Sequence, residues 1–266
     1  MSAYKIIFSD LDGTLLSDKE RVSQENLDAI KIFTQNGGIF VPTSGRAQSE
    51  FPPQLLNNPD IRYYIFSDGA VIWDKLTDTY IANYISNKDT QQIFNLTIQY
   101  GGRSLVHIDG QSLVDADMPT HFKDYYAELS FKNSNPTLNY KEIVLSSQKT
   151  EFIYVYFEDE NSLKECKDKI ADLGVVEVAS SAFGTFQIAS SNAGKHNAVL
   201  TLTKKLGIDV CDIITVGDNK NDIKMILSAG LGLAVSNADP LLKEAADRVI
   251  CSNTQHIVHY ILEDIL

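Results

Sequence analysis

The stretch Phe8-Ser9-Asp10-Leu11-Asp12-Gly13-Thr14 decides how the rest of the chain is read. Tyr4-Lys5-Ile6-Ile7-Phe8 leads into it, a short apolar run bounded by a turn, which predicts a buried strand. Asp10 and Asp12 stand at that strand's C-terminal end, where like charges repel and a bound cation would relieve the repulsion. In an open α/β sheet the carboxyl ends of the strands are also where ligands bind. The same residues fit an Asp-Gly turn whose carboxylates only serve loop backbone. Taken alone, the stretch supports both readings, a hard-metal site at the end of the first strand and a plain turn.

Outward from it, strand and helix alternate. Ser23 opens a predicted helix with Leu27, Ile30 and Phe33 on one stripe and Gly37-Gly38 as its stop. Ile39-Phe40-Val41 reads as a second strand, running into Pro42-Thr43-Ser44-Gly45-Arg46, and the short helical piece that follows stops at Pro52-Pro53. Tyr63-Tyr64-Ile65-Phe66 reads as a third strand, ending at Ser67-Asp68-Gly69. That rhythm predicts a parallel doubly wound sheet. Val71-Ile72-Trp73 and Thr79-Tyr80-Ile81 then suggest a hairpin.

The middle differs. Helical stretches at 90–100, 119–129 and 162–173 are interleaved with strand-like alternations at 104–108, 152–157 and 175–179, and Asn133-Ser134-Asn135-Pro136 reads as a loop. The βα rhythm returns at Gly194-Lys195, with a helix through Val199, Leu202 and Leu206 that Gly207 stops. A strand at 212–216 runs into Gly217-Asp218-Asn219-Lys220-Asn221-Asp222. Leu231 to Val235 is another strand, Asp239-Pro240 opens a helix, and a last helix carries Ile257, Ile261 and Ile265. The expected fold class is α/β. A Rossmann-like parallel-sheet core is built from residues 1–84 and 184–266, and an α+β cap domain is inserted at 85–183.

Composition sets limits. The 266 residues are 44% hydrophobic and 22% charged, an ordinary globular balance. A formal net charge of -12 leaves no excess of Lys and Arg to displace counterions, so a nucleic acid is not expected as partner. No stretch approaches the roughly 18 apolar residues of a membrane span. Cys166, Cys211 and Cys251 are widely spaced and read as reduced, mostly buried thiols, and the chain enters a strand too early for a secretory leader. The expectation is a cytoplasmic protein, a monomer or small homo-oligomer, whose local basic spots could still bind a small phosphate.

Asp10/Asp12, Ser44, Lys195 and Asp218/Asp222 all fall at ends of expected core strands or at a core helix start, so a parallel sheet can gather them on one edge. Asp10 and Asp218, with a backbone carbonyl near Asp12, could supply oxygens to Mg2+. A carboxylate held there can attack phosphorus, and Asp12 can move protons for it. Ser44 can hold a phosphoryl oxygen, and Lys195 can neutralise charge. Asn221 and Asp222 can orient metal-bound water and hold Lys195. Singly, each has a plainer use: Ser44 in a Ser-Gly turn, Lys195 as a solvated lysine, Asp218, Asn221 and Asp222 as helix caps. A cation in the first turn of a helix opposes the macrodipole, which favours an anion bound beside Lys195.

Together, Asp10-Leu11-Asp12-Gly13-Thr14, Ser44-Gly45-Arg46, Lys195 and Gly217-Asp218-x-x-Asn221-Asp222 resemble the four ordered motifs of the haloacid dehalogenase superfamily. The size and place of the insertion, and Ala234-Val235-Ser236-Asn237-Ala238, resemble its Cof-type subfamily, type IIB. The resemblance implies a Mg2+-dependent phosphatase that acts on a small phosphorylated metabolite, such as a sugar phosphate, through an aspartyl-phosphate. It implies that Asp10 is the nucleophile and Asp12 the acid and base. Asp10, Asp12 (through its carbonyl) and Asp218 would hold the metal. Ser44, Lys195 and Asn221 would bind phosphate, supported by Gly45, Arg46 and Asp222. Three departures from the family pattern stand out: Asp68 where Asn is common, His196 where Gly is usual, and His256-Ile257 in place of Gly-Val.

Other readings are weaker. A phosphomutase or phosphotransferase would use the same motifs but release no phosphate carrying solvent oxygen. A non-catalytic sensor would need no nucleophile. Ala189 and His196 spoil a P-loop at 189–196. His256 and His259 lack a third metal ligand and read as a surface pair, while Tyr125-Tyr126, Tyr154 and Tyr156 read as core. Arg103, His107 and Lys123 are candidates for substrate contact.

Overall fold

The computed structural model describes residues 4–17, 21–116, 135–180 and 184–266. The chain divides into two compact units, Met1–Gly45, Phe51–Ile81 and Lys195–Leu266 in one, Arg46–Glu50 and Ala82–Gly194 in the other. The first begins with β1 (Ile6–Ser9), α1 (Gln24–Gln35), β2 (Ile39–Pro42), α2 (Pro53–Leu56), β3 (Tyr63–Phe66), β4 (Val71–Asp74) and β5 (Thr79–Ala82). The second holds α3 (Asn87–Gln99), β6 (Arg103–Ile108), β7 (Gln111–Asp115), β8 (Asn135–Thr137), α4 (Tyr140–Ser146), β9 (Thr150–Tyr156), α5 (Glu160–Ala171), β10 (Val176–Ser180) and β11 (Thr185–Ser190). The chain returns to the first with α6 (Lys195–Leu206), β12 (Ile213–Gly217), α7 (Ile223–Leu227), β13 (Leu231–Ala234), α8 (Pro240–Ala245), β14 (Arg248–Val249) and α9 (Ile257–Asp264).

The first unit is built on a parallel sheet in the order β14-β13-β12-β1-β2. All residues of β1 and β12 are buried, as expected where helices cover both faces. Ile6, Phe8, Val41, Val199, Leu202, Ile213 and Met225 share one apolar cluster, which ties the first and last thirds of the chain together. Ser23 caps α1 by accepting the Asn26 N–H at 3.2 Å.

The third strand departs from expectation. β3 pairs antiparallel with β4, in a separate sheet ordered β3-β4-β5, and keeps the expected parallel direction next to β2 only at the isolated bridge Thr43–Ile65 among the described residues. Pro42 supplies a reason. Thr43 donates to Ser9 at 2.8 Å and Ser44 to Ile65 at 3.0 Å, so the residue two before Ser44 would also have to donate toward β3, and proline has no N–H.

In the second unit six strands run in the order β10-β11-β9-β6-β7-β8, antiparallel apart from the β7–β8 pair. Val106, Ile153, Val155, Phe186 and Ile188 pack with Ile93, Phe94, Val144, Cys166 and Ile170 from α3, α4 and α5. Leu105, Phe152 and Tyr154 alternate onto the opposite face. Asn135 and Pro136, expected in a loop, form β8, a short edge strand where proline is tolerated. Arg46–Glu50, which the sequence groups with the core, is fastened to this unit: Ser49 N–H donates to Gly110 at 2.9 Å, and Ser112 N–H to the Ser49 hydroxyl at 3.2 Å. His107 is fully buried against Phe152 and offers no surface to a substrate, and Tyr154 is core. The expected helix at 119–129, Lys123, Tyr125-Tyr126 and Asn133-Ser134 lie outside the described residues. Cys166 is buried but Cys211 is exposed, against the expectation of mostly buried thiols. No helix among the described residues is long and apolar enough to cross a membrane.

Candidate active site

The Asp10 N–H donates to the Val216 carbonyl at 3.0 Å, the last rung before β1 and β12 part. Beyond it the chain folds into a tight turn, with Leu15 N–H on the Asp10 carbonyl at 3.2 Å and Leu16 N–H on Leu11 at 2.9 Å. Gly13 sits at φ 77°, and a Cβ built on it would collide with the Asp218 carboxylate. The glycine therefore has two reasons to be there, its backbone and the close approach of Asp218. Thr14 donates its hydroxyl to Asp218 Oδ1 at 3.2 Å. The second half of the opening stretch thus holds the carboxylate contributed by β12's end.

Lys195, the first residue of α6, buries its side chain between two acids, with Nζ 2.6 Å from Asp10 Oδ1 and 2.7 Å from Asp222 Oδ1. Burial works against its charge, but Asp10 and Asp222 outweigh that and raise its pKa well above the usual lysine value. The other Asp222 oxygen accepts the N–H groups of Asp218 at 3.1 Å and Asn219 at 3.2 Å. Gly217 makes room for this, since a Cβ there would lie 2.7 Å from the Asp222 Cβ. Both Asp222 oxygens are thus engaged, which makes it a support for Lys195.

Asp10 is different. Its Oδ2 is buried and has no hydrogen-bond partner among the described residues. Burial pushes its carboxyl well above the usual range, against the pull of Lys195, with Asp222, Asp218 and Asp12 pushing the same way as burial. The Asp218 carboxyl is pushed up to about 6, by burial first and Asp222 next. Oxygens of Asp10, Asp218 and Asp222 all lie within 4.8 Å of one another. An orphaned buried oxygen among crowded carboxylates, all hard donors, fits a small divalent cation such as Mg2+.

Ser44 is buried just past the end of β2; its N–H donates to Ile65, and its carbonyl accepts the Asp68 N–H at 3.0 Å. Gly45 closes that segment of the first unit, and Arg46, in the second, donates to the Glu50 carbonyl at 3.1 Å. Asn221 donates to Asp68 Oδ1 at 3.4 Å. Asp68 also helps keep Lys195 charged, so the acid that departs from the family pattern is drawn into the site. It lies in strained backbone: Ser67, Asp68 and Gly69 follow one another at φ 49°, 52° and 90°. His256 is also left-handed, at φ 57°, which accounts for the glycine usual there; its Nδ1 lies 2.8 Å from the Ser23 hydroxyl. His259 lies 3.3 Å from Glu263 one helical turn on.

The sequence reading assigned no role to Thr14 or Asn237. Asn237 donates to the Gly13 carbonyl at 2.8 Å, and the signal for it was the Ala234-Val235-Ser236-Asn237-Ala238 segment.

The chain is similar to two proteins of Bacillus subtilis (strain 168) named as 5-amino-6-(5-phospho-D-ribitylamino)uracil phosphatases. It is 27% identical to YcsE over 94% of this chain and 91% of that one, and 26% identical to YwtE over 98% of both. A haloacid dehalogenase-like hydrolase from Bacteroides thetaiotaomicron shares the fold at a TM-score of 0.84 and 20% identity, over 99% of this chain and 100% of that one. The family model for haloacid dehalogenase-like hydrolases matches residues 7–262, nearly the whole chain and all four motifs, so the chain belongs to that family, as the Cof-type resemblance of its sequence implied.

Proposed function

We propose that this hydrolase is a Mg2+-dependent phosphatase that cleaves a small phosphorylated metabolite, with Asp10 as the nucleophile. The observation that carries the reading is the Asp10 carboxylate, which has one oxygen on Lys195 and the other buried with no hydrogen-bond partner among the described residues. An Asp10 oxygen forms a bond to phosphorus as the ester P–O bond breaks, and Asp12 gives its proton to the leaving oxygen. Asp12 then takes a proton from the water that attacks phosphorus, which frees phosphate and restores Asp10. Ser44, Asn221 and Lys195 hold the phosphoryl oxygens, and Asp222 keeps Lys195 in place. Gly45 supports Ser44. Mg2+ would be held by Asp10, Asp218 and the Asp12 carbonyl, and would offset negative charge on the phosphoryl group. The second unit, as a cap that includes β11, chooses among phosphomonoesters. A phosphorylated sugar or polyol is the class we favour, since the relatives YcsE and YwtE are named for a ribityl phosphate. The test is phosphate release from a panel of such esters with and without Mg2+. Release only with the cation supports the proposal, and no release from any ester sinks it.

A pH dependence follows from the crowded acids. A carboxyl whose folded pKa exceeds its unfolded value binds its proton more tightly when folded, so stability falls as pH rises through that interval. For Asp218 the interval runs from about 4 to about 6. Mg2+ relieves the repulsion only where the acids are ionised. We expect added Mg2+ to raise the melting temperature by several degrees at pH 7 and by little at pH 4. An equal rise at both values contradicts this.

A further inference from the structure

We propose that Asn237 and Asn253 form an amide clamp that positions Asp12 for proton transfer; this rests on the phosphatase reading and deepens it at the same site. Neither asparagine belongs to the four motifs. They lie in the loops after β13 and β14 and reach the turn from two separate strands. Asn237 Nδ2 donates to the Gly13 carbonyl at 2.8 Å. Its Oδ1 accepts the Asn253 N–H at 3.0 Å, and Asn253 Nδ2 donates to the Leu16 carbonyl at 3.0 Å. One connected network therefore grips the turn at both Gly13 and Leu16.

The place gripped borders the acid directly. Gly13 directly follows Asp12 and has no side chain to hold its backbone at φ 77°. Asp12 itself has φ -74° and ψ 119°, so a small rotation at either residue swings its carboxylate. The loops carrying the clamp are fastened in turn. Val235 N–H donates to Gly217 at 3.2 Å, and Ser236 N–H to Cys251 at 3.1 Å. The clamp thus references the Asp12 turn to the strand edge that carries Asp218. Asn237 and Asn253 are positioning residues: they act through Asp12.

The test uses the dependence of general-acid catalysis on the leaving group. The value of kcat/KM reports the step in which the ester bond breaks. An alkyl ester such as β-glycerophosphate needs a proton in that step, while para-nitrophenyl phosphate leaves readily without one. Asn237→Ala, Asn253→Ala and the double variant are measured on both, beside Asp12→Ala. We expect kcat/KM on the alkyl ester to fall roughly tenfold in each, with the aryl ester nearly unchanged. The double variant should lose little more than the worse single, because the two amides form one network. Equal losses on the two esters, as general damage to the fold would give, or no loss at all, overturns the clamp. Asp12→Ala separates the two claims. If it is selective for the alkyl ester and the asparagine variants are not, the clamp alone fails. If it loses nothing on the alkyl ester, the phosphatase mechanism fails and takes the clamp with it.

Discussion

Replacing Asp10 with Asn is expected to end phosphate release while leaving the fold intact. The amide has nearly the same shape but is not a nucleophile toward phosphorus, so the loss should be on the order of 10⁴-fold or more. Stability should move the other way. The Asp10 carboxyl is raised well above its ordinary range, mainly by burial and despite Lys195, so its ionised form costs the folded state free energy. Asn removes that cost, and Lys195 keeps Asp222 at 2.7 Å. Without metal, Asp10→Asn should therefore melt at or above the wild-type temperature at pH 7, and it should gain less from Mg2+. Turnover comparable to wild type would remove Asp10 from the mechanism. Lost turnover together with a lowered melting temperature would point to misfolding instead.

Lys195→Met should cost both activity and stability. Met fills similar volume, so packing survives and the effect is electrostatic. The lysine is 3% exposed and is bound by Asp10 and Asp222. Removing it leaves two buried carboxylates facing each other without the cation between them. Breaking a buried pair in this way costs about 3–5 kcal/mol. Protonation of one acid recovers part of this, so the deficit in melting temperature should shrink as pH is lowered toward 5. Adding Asp222→Asn to the variant should restore part of the stability, because one of the unpaired charges is gone, and none of the activity. An unchanged melting temperature in Lys195→Met would mean that the ion pairs contribute nothing to the fold.

The parallel core was legible because its strands are short apolar runs buried on both faces, and such runs stand out against polar turns. The clustering of Asp10, Lys195, Asp218 and Asp222 was legible for a topological reason. Each stands at the end of an expected core strand or the start of a core helix, and parallel strands bring those ends to one edge. Other features left weaker marks. Pro42 withdraws an N–H that would have continued the sheet toward β3, and nothing in Tyr63-Tyr64-Ile65-Phe66 itself signals an antiparallel partner. Ser67-Asp68-Gly69 reads as an ordinary turn, while the structure places consecutive left-handed residues there and directs Asp68 to Asn221. The grip of Asn237 on Gly13 spans 224 residues, a separation that local periodicity cannot reach. Arg46–Glu50 joins the second unit through Ser49, whose N–H donates to Gly110 and whose hydroxyl accepts the Ser112 N–H, and a lone serine carries no distinctive pattern.

The central claim is that Asp10 carries the phosphoryl group during turnover. An acyl phosphate is reduced by borohydride to an alcohol, which turns the modified aspartate into homoserine. The protein is quenched with borohydride during turnover of para-nitrophenyl phosphate with Mg2+, digested, and the peptide containing Phe8-Ser9-Asp10-Leu11-Asp12 is weighed and sequenced by mass spectrometry. The predicted result is homoserine at position 10, absent when substrate is omitted and absent in Asp10→Asn. Homoserine at position 12 or elsewhere, in a preparation that is releasing phosphate, would contradict the account.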